Sequence, residues 1–361
     1  MNRKVFCAMI AGCILGVSQM PLEAAQQLSP KERLGKLMYE DVNFSFNQSQ
    51  SCQTCHHPDA GFADPVNVND PYNNFVSKGA DGSSLGGRNA PTSAYTGFSP
   101  TLHYNAAKNE YVGGMFWDGR ATGETLGDPL AEQAQGPPLN PVEMNMPNIV
   151  AVVEEIRNAS YADLFEKVYG KDSLVDDPLS QLDEATVFNQ FGDAIAAYER
   201  SAEVQKFSSK YDTATLSVKE RRGFSLYKEH CSVCHTKQHK ISGTNATVDT
   251  FTSYRYANIG TPVNPHVPLD EPDLGLGYTI DDPAQDGKFK IPTLRNVAIT
   301  APYSHNGYFP TLQSIVEFKN SGLDGVVPEV ADNISPLIGN MGMTADEMDD
   351  LIAFLMALTD Q

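Results

Sequence analysis

Cys52-Gln53-Thr54-Cys55-His56 returns, in chemical outline, as Cys231-Ser232-Val233-Cys234-His235. Two thiols three residues apart on one turn can reach the two vinyl groups of a single porphyrin. The adjacent histidine then projects beneath the ring and ligates its iron. One such pentapeptide could equally be a redox dithiol or part of a zinc site. Two copies, with the only other cysteines at Cys7 and Cys13, leave little room for either. The spacing predicts two covalently bound haem c groups, with His56 on one iron and His235 on the other.

Outward from these motifs the chain repeats itself. Residues 29–40 read as a helix: Ser29 is a good N-cap, Pro30 suits the first turn, and Leu34, Leu37 and Met38 recur at helical spacing. Residues 220–227 keep the same order of Glu-Arg, Gly, Leu and Tyr, and each stretch leads into a Cys-x-x-Cys-His. This predicts an internal duplication of a cytochrome c unit rather than a solenoid. Helical periodicity also marks 146–168, 185–207, 312–318 and 345–358, whereas 236–290 is rich in Gly, Pro, Asp, Asn and Thr and reads as long loops. The expected fold is mostly α. Two cytochrome c-type domains, 25–207 and 208–361, each wrap long loops around one haem.

The 361 residues suffice for two such domains. A net charge of −19 argues against a nucleic-acid partner. Arg3 and Lys4 precede an apolar run at 5–17, too short to span a bilayer but right for a signal-peptide core. Residues 1–24 are expected to direct export to the periplasm, with cleavage after Ala24. Ile10-Ala11-Gly12-Cys13 offers lipidation of Cys13 as the alternative. No later segment is apolar enough to span a membrane.

Further motifs carry a resemblance. They are Arg88-Asn89-Ala90-Pro91-Thr92, Phe116-Trp117-Asp118-Gly119-Arg120, Glu132-Gln133-Ala134, Gly136-Pro137 and Asn140-Pro141-Val142-Glu143-Met144. Phe289-Lys290-Ile291-Pro292-Thr293-Leu294-Arg295-Asn296 and Ala301-Pro302-Tyr303-Ser304-His305-Asn306-Gly307 follow in the second half. From about residue 30 to 358 the chain resembles the bacterial dihaem cytochrome c peroxidase family, which includes the MauG-type enzymes. The resemblance implies that peroxide binds at the haem of Cys52, Cys55 and His56, while the haem of Cys231, Cys234 and His235 stores and delivers electrons. It places Trp117, the only tryptophan, between the haems as a relay. It makes Glu143 the distal acid–base, assisted by Gln133 and lined by Pro137. It also implies a calcium ion between the domains on Asn89, Thr300 and Pro302, and homodimers, which the family often forms.

Two departures stand out. In members that need reductive activation, a histidine in the loop before Arg-Asn-Ala-Pro-Thr closes the peroxide haem. Here residues 77–87 contain none, so that haem is expected to be open, as in MauG-type enzymes. Across the second haem the family places Met or Tyr. The family's count of fourteen residues from His305 falls on Lys319, whose amine must shed a proton from a group of reference pKa ~10.4 before it can bind iron. Tyr308, Met341 and Met343 are the other candidates.

Three functions compete on this reading. The first is a peroxidase reducing hydrogen peroxide to water with electrons from a small cytochrome c or cupredoxin. The second is a MauG-type enzyme whose peroxide-derived high-valent haems oxidise residues of a partner protein. The third, a dihaem electron carrier, has no use for Glu143, Gln133 and Trp117.

Overall fold

The structure, a computed structural model, describes residues 27–175, 183–240, 246–322 and 325–361. The expected export segment, 1–24, lies outside them. The described structure is mostly helical, and the duplication read from the sequence is physical. The first helix, Pro30–Glu40, opens on a reciprocal cap: Glu32 N donates to Ser29 Oγ at 3.3 Å and Ser29 N to Glu32 Oε2 at 2.7 Å. Its counterpart Val218–Leu226 repeats the device with Ser217 and Glu220. Each crosses a later helix, Glu184–Glu199 for the first and Ala345–Met356 for the second. Both crossings occur at the repeated glycine. A Cβ on Gly35 would stand 1.8 Å from Ala194 O, and one on Gly223 1.9 Å from Asp350 O. At the repeated tyrosine, Tyr39 Oη donates to His56 O at 2.8 Å and Tyr227 Oη to His235 O at 2.5 Å. The helix pair in each half is thereby pinned to its own haem motif.

Burial follows the same division. Leu34, Met38, Phe44, Val152, Phe165 and Phe191 centre one core. Tyr227, Phe251, Leu351, Phe354 and Leu358 centre the other. Between them Arg295 is wholly enclosed. It forks onto both oxygens of Asp212 at 2.8 Å and lies 4.5–5.0 Å from the ring centres of Phe207 and Tyr95.

Three expectations change in detail. The helix read at 146–168 is two, Ile149–Asn158 and Ala162–Tyr169. The break turns Tyr161 inward, where its hydroxyl donates to Asp41 Oδ2 at 2.5 Å. The 185–207 helix ends at Glu199, where Arg200 turns to fork onto Asp128 at 2.7 Å. Within 236–290 the chain forms the strands Gln238–Lys240 and Thr247–Asp249, which pair with each other, and Tyr256–Ala257, which pairs with Phe289–Lys290. These strands are too short for a period-2 pattern to show.

Candidate active site

Ser51 N donates to Thr54 Oγ1 at 3.0 Å and caps the one-turn helix Cys52–Cys55, which puts both thiols and His56 on one turn. His56 Nδ1 lies 3.2 Å from Phe62 O, and His235 Nδ1 lies 3.0 Å from Pro292 O. A carbonyl can only accept, so each Nδ1 carries the proton and each Nε2 is left with a free lone pair, as an iron ligand requires. Burial lowers the proton affinity of both rings, that of His235 to about 3. None of the four cysteines is in a disulfide. Burial also pushes the Cys55 thiol up to about 12 and Cys231 to about 11. Among the described residues no three His, Cys, Asp or Glu are grouped to hold a metal ion. Unpaired neutral thiols flanking a neutral imidazole fit haem attachment.

A second duplicated layer escaped the sequence reading. Thr92 Oγ1 donates to Gly61 O and Thr293 Oγ1 to Thr250 O, each at 2.6 Å. Each hydroxyl accepts in turn from the amide two residues on, at 3.0 Å. Tyr95 and Asn296 then take the same left-handed turn, at φ 64° and 60°. The shared Pro-Thr at 91–92 and 292–293 was the available signal.

Glu143 sits on the first site. Its charge reaches the thiols of both Cys52 and Cys55. Asn140 Nδ2 donates to its Oε1 at 2.6 Å. Burial raises the proton affinity of its carboxyl, while the Arg120 charge and the Asn140 hydrogen bond pull the other way. Pro137 belongs to the turn that presents Glu143: its carbonyl accepts from Asn140 N and Met144 N, both at 3.2 Å. The histidine-free loop closes on itself, with Gly79 N donating to Ser84 O at 2.8 Å and Gly86 N to Ser77 O at 2.9 Å. It is tied to the acid through Ala80 N, which donates to Glu143 O at 2.7 Å. Gln133 lies one turn before this segment, and its side chain makes no hydrogen bond among the described residues.

Trp117 stands where the halves meet. Its Nε1 donates to Asn89 O at 2.9 Å, and its carbonyl accepts from Lys290 N at 2.8 Å. Arg88 clamps the same junction, forking onto Asp273 at 2.6 and 2.7 Å and reaching Asp118 at 2.6 Å. Burial would raise Asp273, but the hydrogen bonds and charge of Arg88 outweigh it and hold the carboxyl below its ordinary value. A depressed carboxylate stabilises the fold above its unfolded pKa of ~3.9, and that contribution is lost as pH falls through the folded value. Arg88→Met should therefore cost about 3–5 kcal/mol near neutral pH. It should also flatten the acid limb below pH ~4, as checked by denaturant titrations across pH.

The second site opens into a cavity lined by Cys231, Cys234, His235 and Lys319. The charge of Lys319 acts on His235 and on both thiols, and burial depresses its proton affinity. Met341 and Met343 also line this cavity, whereas Tyr308 packs on Phe309 outside it. Asn89 and Pro302 meet through a hydrogen bond: Asn89 Nδ2 donates to Pro302 O at 2.7 Å. Thr300 lines the same cavity.

The family model described as di-haem cytochrome c peroxidase matches residues 29–221. The chain belongs to this family. It is 38% identical to the methylamine utilization protein MauG of Paracoccus denitrificans, over 93% of this chain and 91% of that protein. It is 27% identical to the cytochrome-c peroxidase IdrP1 of Denitromonas iodatirespirans, over 91% and 81% respectively. Among solved structures it resembles the diheme peroxidase BthA from Burkholderia thailandensis, with a TM-score of 0.76 and 30% identity over 92% of this chain and 87% of that one. Membership of a di-haem family implies two haem groups for this chain. No helix among the described residues is long and apolar enough to cross a membrane.

Proposed function

We propose that this chain is an exported, MauG-type dihaem enzyme that consumes hydrogen peroxide without prior reduction and draws the two electrons from a partner protein. Cys52, Cys55 and His56 would hold the peroxide haem, and Cys231, Cys234 and His235 the electron-storing one. When bound, the haems supply the iron and the redox equivalents. The carrying observation is the loop at 77–87, which folds back on Glu143 through Ala80 and carries no imidazole. Glu143 is left as the acid–base facing that site: its carboxylate takes a proton from the near oxygen of peroxide and returns it to the leaving oxygen. Overall, peroxide, two electrons and two protons yield two waters. Trp117 spans the junction through which electrons pass. The higher identity to a MauG protein than to the peroxidase relatives favours a protein as the electron source over a small carrier.

Lys319 belongs to the same proposal: its neutral amine, together with His235, would hold the iron of the second haem. Calcium on Asn89, Thr300 and Pro302 belongs to it as well, with the Asn89 amide turned to present its oxygen.

The test is peroxide consumption by the fully oxidised holoprotein. Reaction within the mixing time, leaving a long-lived oxidised species that a reduced small cytochrome c discharges only slowly, is the expected result. Fast sustained turnover with that cytochrome would make the chain a conventional electron-fed peroxidase. No reaction before reduction would overturn the open site.

A further inference from the structure

Among the described residues the Lys290 ammonium has no oxygen acceptor. Lys290 belongs to the strand Phe289–Lys290, and its amide is spent on Trp117 O. Its side chain enters the cavity of the second site at the end formed by Met115 and Trp117. It is half-buried and faces the cavity. The one polar partner of its Nζ among the described residues is Met115 Sδ, at 4.0 Å. Asp118 is the carboxylate whose field reaches it. That carboxylate is already held by Arg88 at 2.6 Å and Arg120 at 3.0 Å. Burial, against the opposing pull of the Asp118 charge, lowers the ammonium to about 7. A cavity-facing ammonium whose one hydrogen-bond partner is a thioether sulfur is poorly compensated, so a group of opposite charge is wanted in front of it.

The cavity is built for a group that brings its own carboxylates. We propose that Lys290 binds a propionate of the haem carried by His235, at the ring edge nearest Trp117. The ammonium then does two things. It fixes that edge against the Trp117 loop, to which the Lys290 backbone is already bonded. It also favours the reduced, less positive state of the iron, because a cation close to the ring disfavours the additional positive charge of the ferric form. Lys290 is a positioning residue here. The inference rests on the family's two haems and not on the peroxide reading, and the two fail separately.

Spectroelectrochemical titration of the dihaem holoprotein tests it. In Lys290→Met the midpoint of the second haem should fall by at least a tenfold change in the reduced-to-oxidised ratio, which is 59 mV for one electron. The first haem should keep its midpoint, and Lys290→Arg should retain most of the wild-type value. Unchanged midpoints in Lys290→Met overturn the proposal, as does an equal fall in Lys290→Arg, which would mean packing rather than charge. If Lys290→Met fails to retain the second haem, Lys290→Arg decides through the propionate-bending band in resonance Raman. A shifted band supports the contact and an unmoved one overturns it.

Discussion

Glu143→Gln is expected to slow the reaction with hydrogen peroxide by about 10²–10⁴-fold, the usual worth of a positioned acid–base group. Glutamine keeps the shape and can still accept the Asn140 Nδ2 hydrogen bond, now 2.6 Å long. The turn presenting it, pinned by Ala80, Asn140 and Pro137, has no reason to move. Only the capacity to take up and return a proton is lost. The pH profile separates this from a packing effect. Burial raises the Glu143 carboxyl, against the opposing pull of Arg120 and Asn140. The proton-accepting form is therefore lost on acidification earlier than for an ordinary carboxyl of pKa ~4.3. Stopped-flow rates for wild type should fall on the acid side above that value, and the acid limb of the Glu143→Gln variant should be flat. A slowing below about tenfold, or an acid limb that survives the substitution, would remove Glu143 from proton transfer.

What could be read beforehand was what the chain writes locally. The two pentapeptides, the Ser-Pro-x-Glu opening of the first helix and the Gly and Tyr repeated before each motif all lie within about one helix of their partners. Hydrophobic spacing and capping chemistry are local signals. What escaped is carried by long-range partners. Arg88 and Asp273 are 185 residues apart, and neither has a local pattern that predicts a fork between them. The Thr92 and Thr293 hydroxyls satisfy carbonyls of other loops. Lys290 stands in a quoted motif, yet its burial beside Trp117 emerges only when two short strands pair. The candidates opposite His235 were narrowed by placement: Lys319, Met341 and Met343 face the cavity and Tyr308 does not.

The second large effect is steric and follows from the duplication itself. Gly35 and Gly223 lie inside ordinary helices, so alanine costs nothing in backbone conformation at either position and even improves helix propensity. The obstacle is the partner helix. A Cβ would come within 1.8 Å of Ala194 O at the first crossing and 1.9 Å of Asp350 O at the second. The clashing atoms are backbone, which no rotamer change can move. Each helix pair must therefore separate, and the side chains next in line, Tyr198 and Phe354, are already at 3.0 and 2.8 Å from the added atom. Overpacking of a close-packed interior costs about 1–3 kcal/mol, and the rigidity here puts each substitution at the upper end. For domains of this size that is a fall of roughly 6–12 °C in melting temperature. The loss should be local to one half. Gly35→Ala loosens the helix that carries Tyr39 and, through its 2.8 Å bond to His56 O, the first haem motif. Gly223→Ala does the same to Tyr227 and His235. Thermal melts followed at the Soret band of each haem should show one transition move while the other stays. Gly127→Ala is the control: its φ of 72° carries backbone strain but nothing lies within 4 Å of the added atom, so about 1–2 kcal/mol is expected there. Melting temperatures for Gly35→Ala and Gly223→Ala no lower than the control's would mean that the helices do not cross at these glycines.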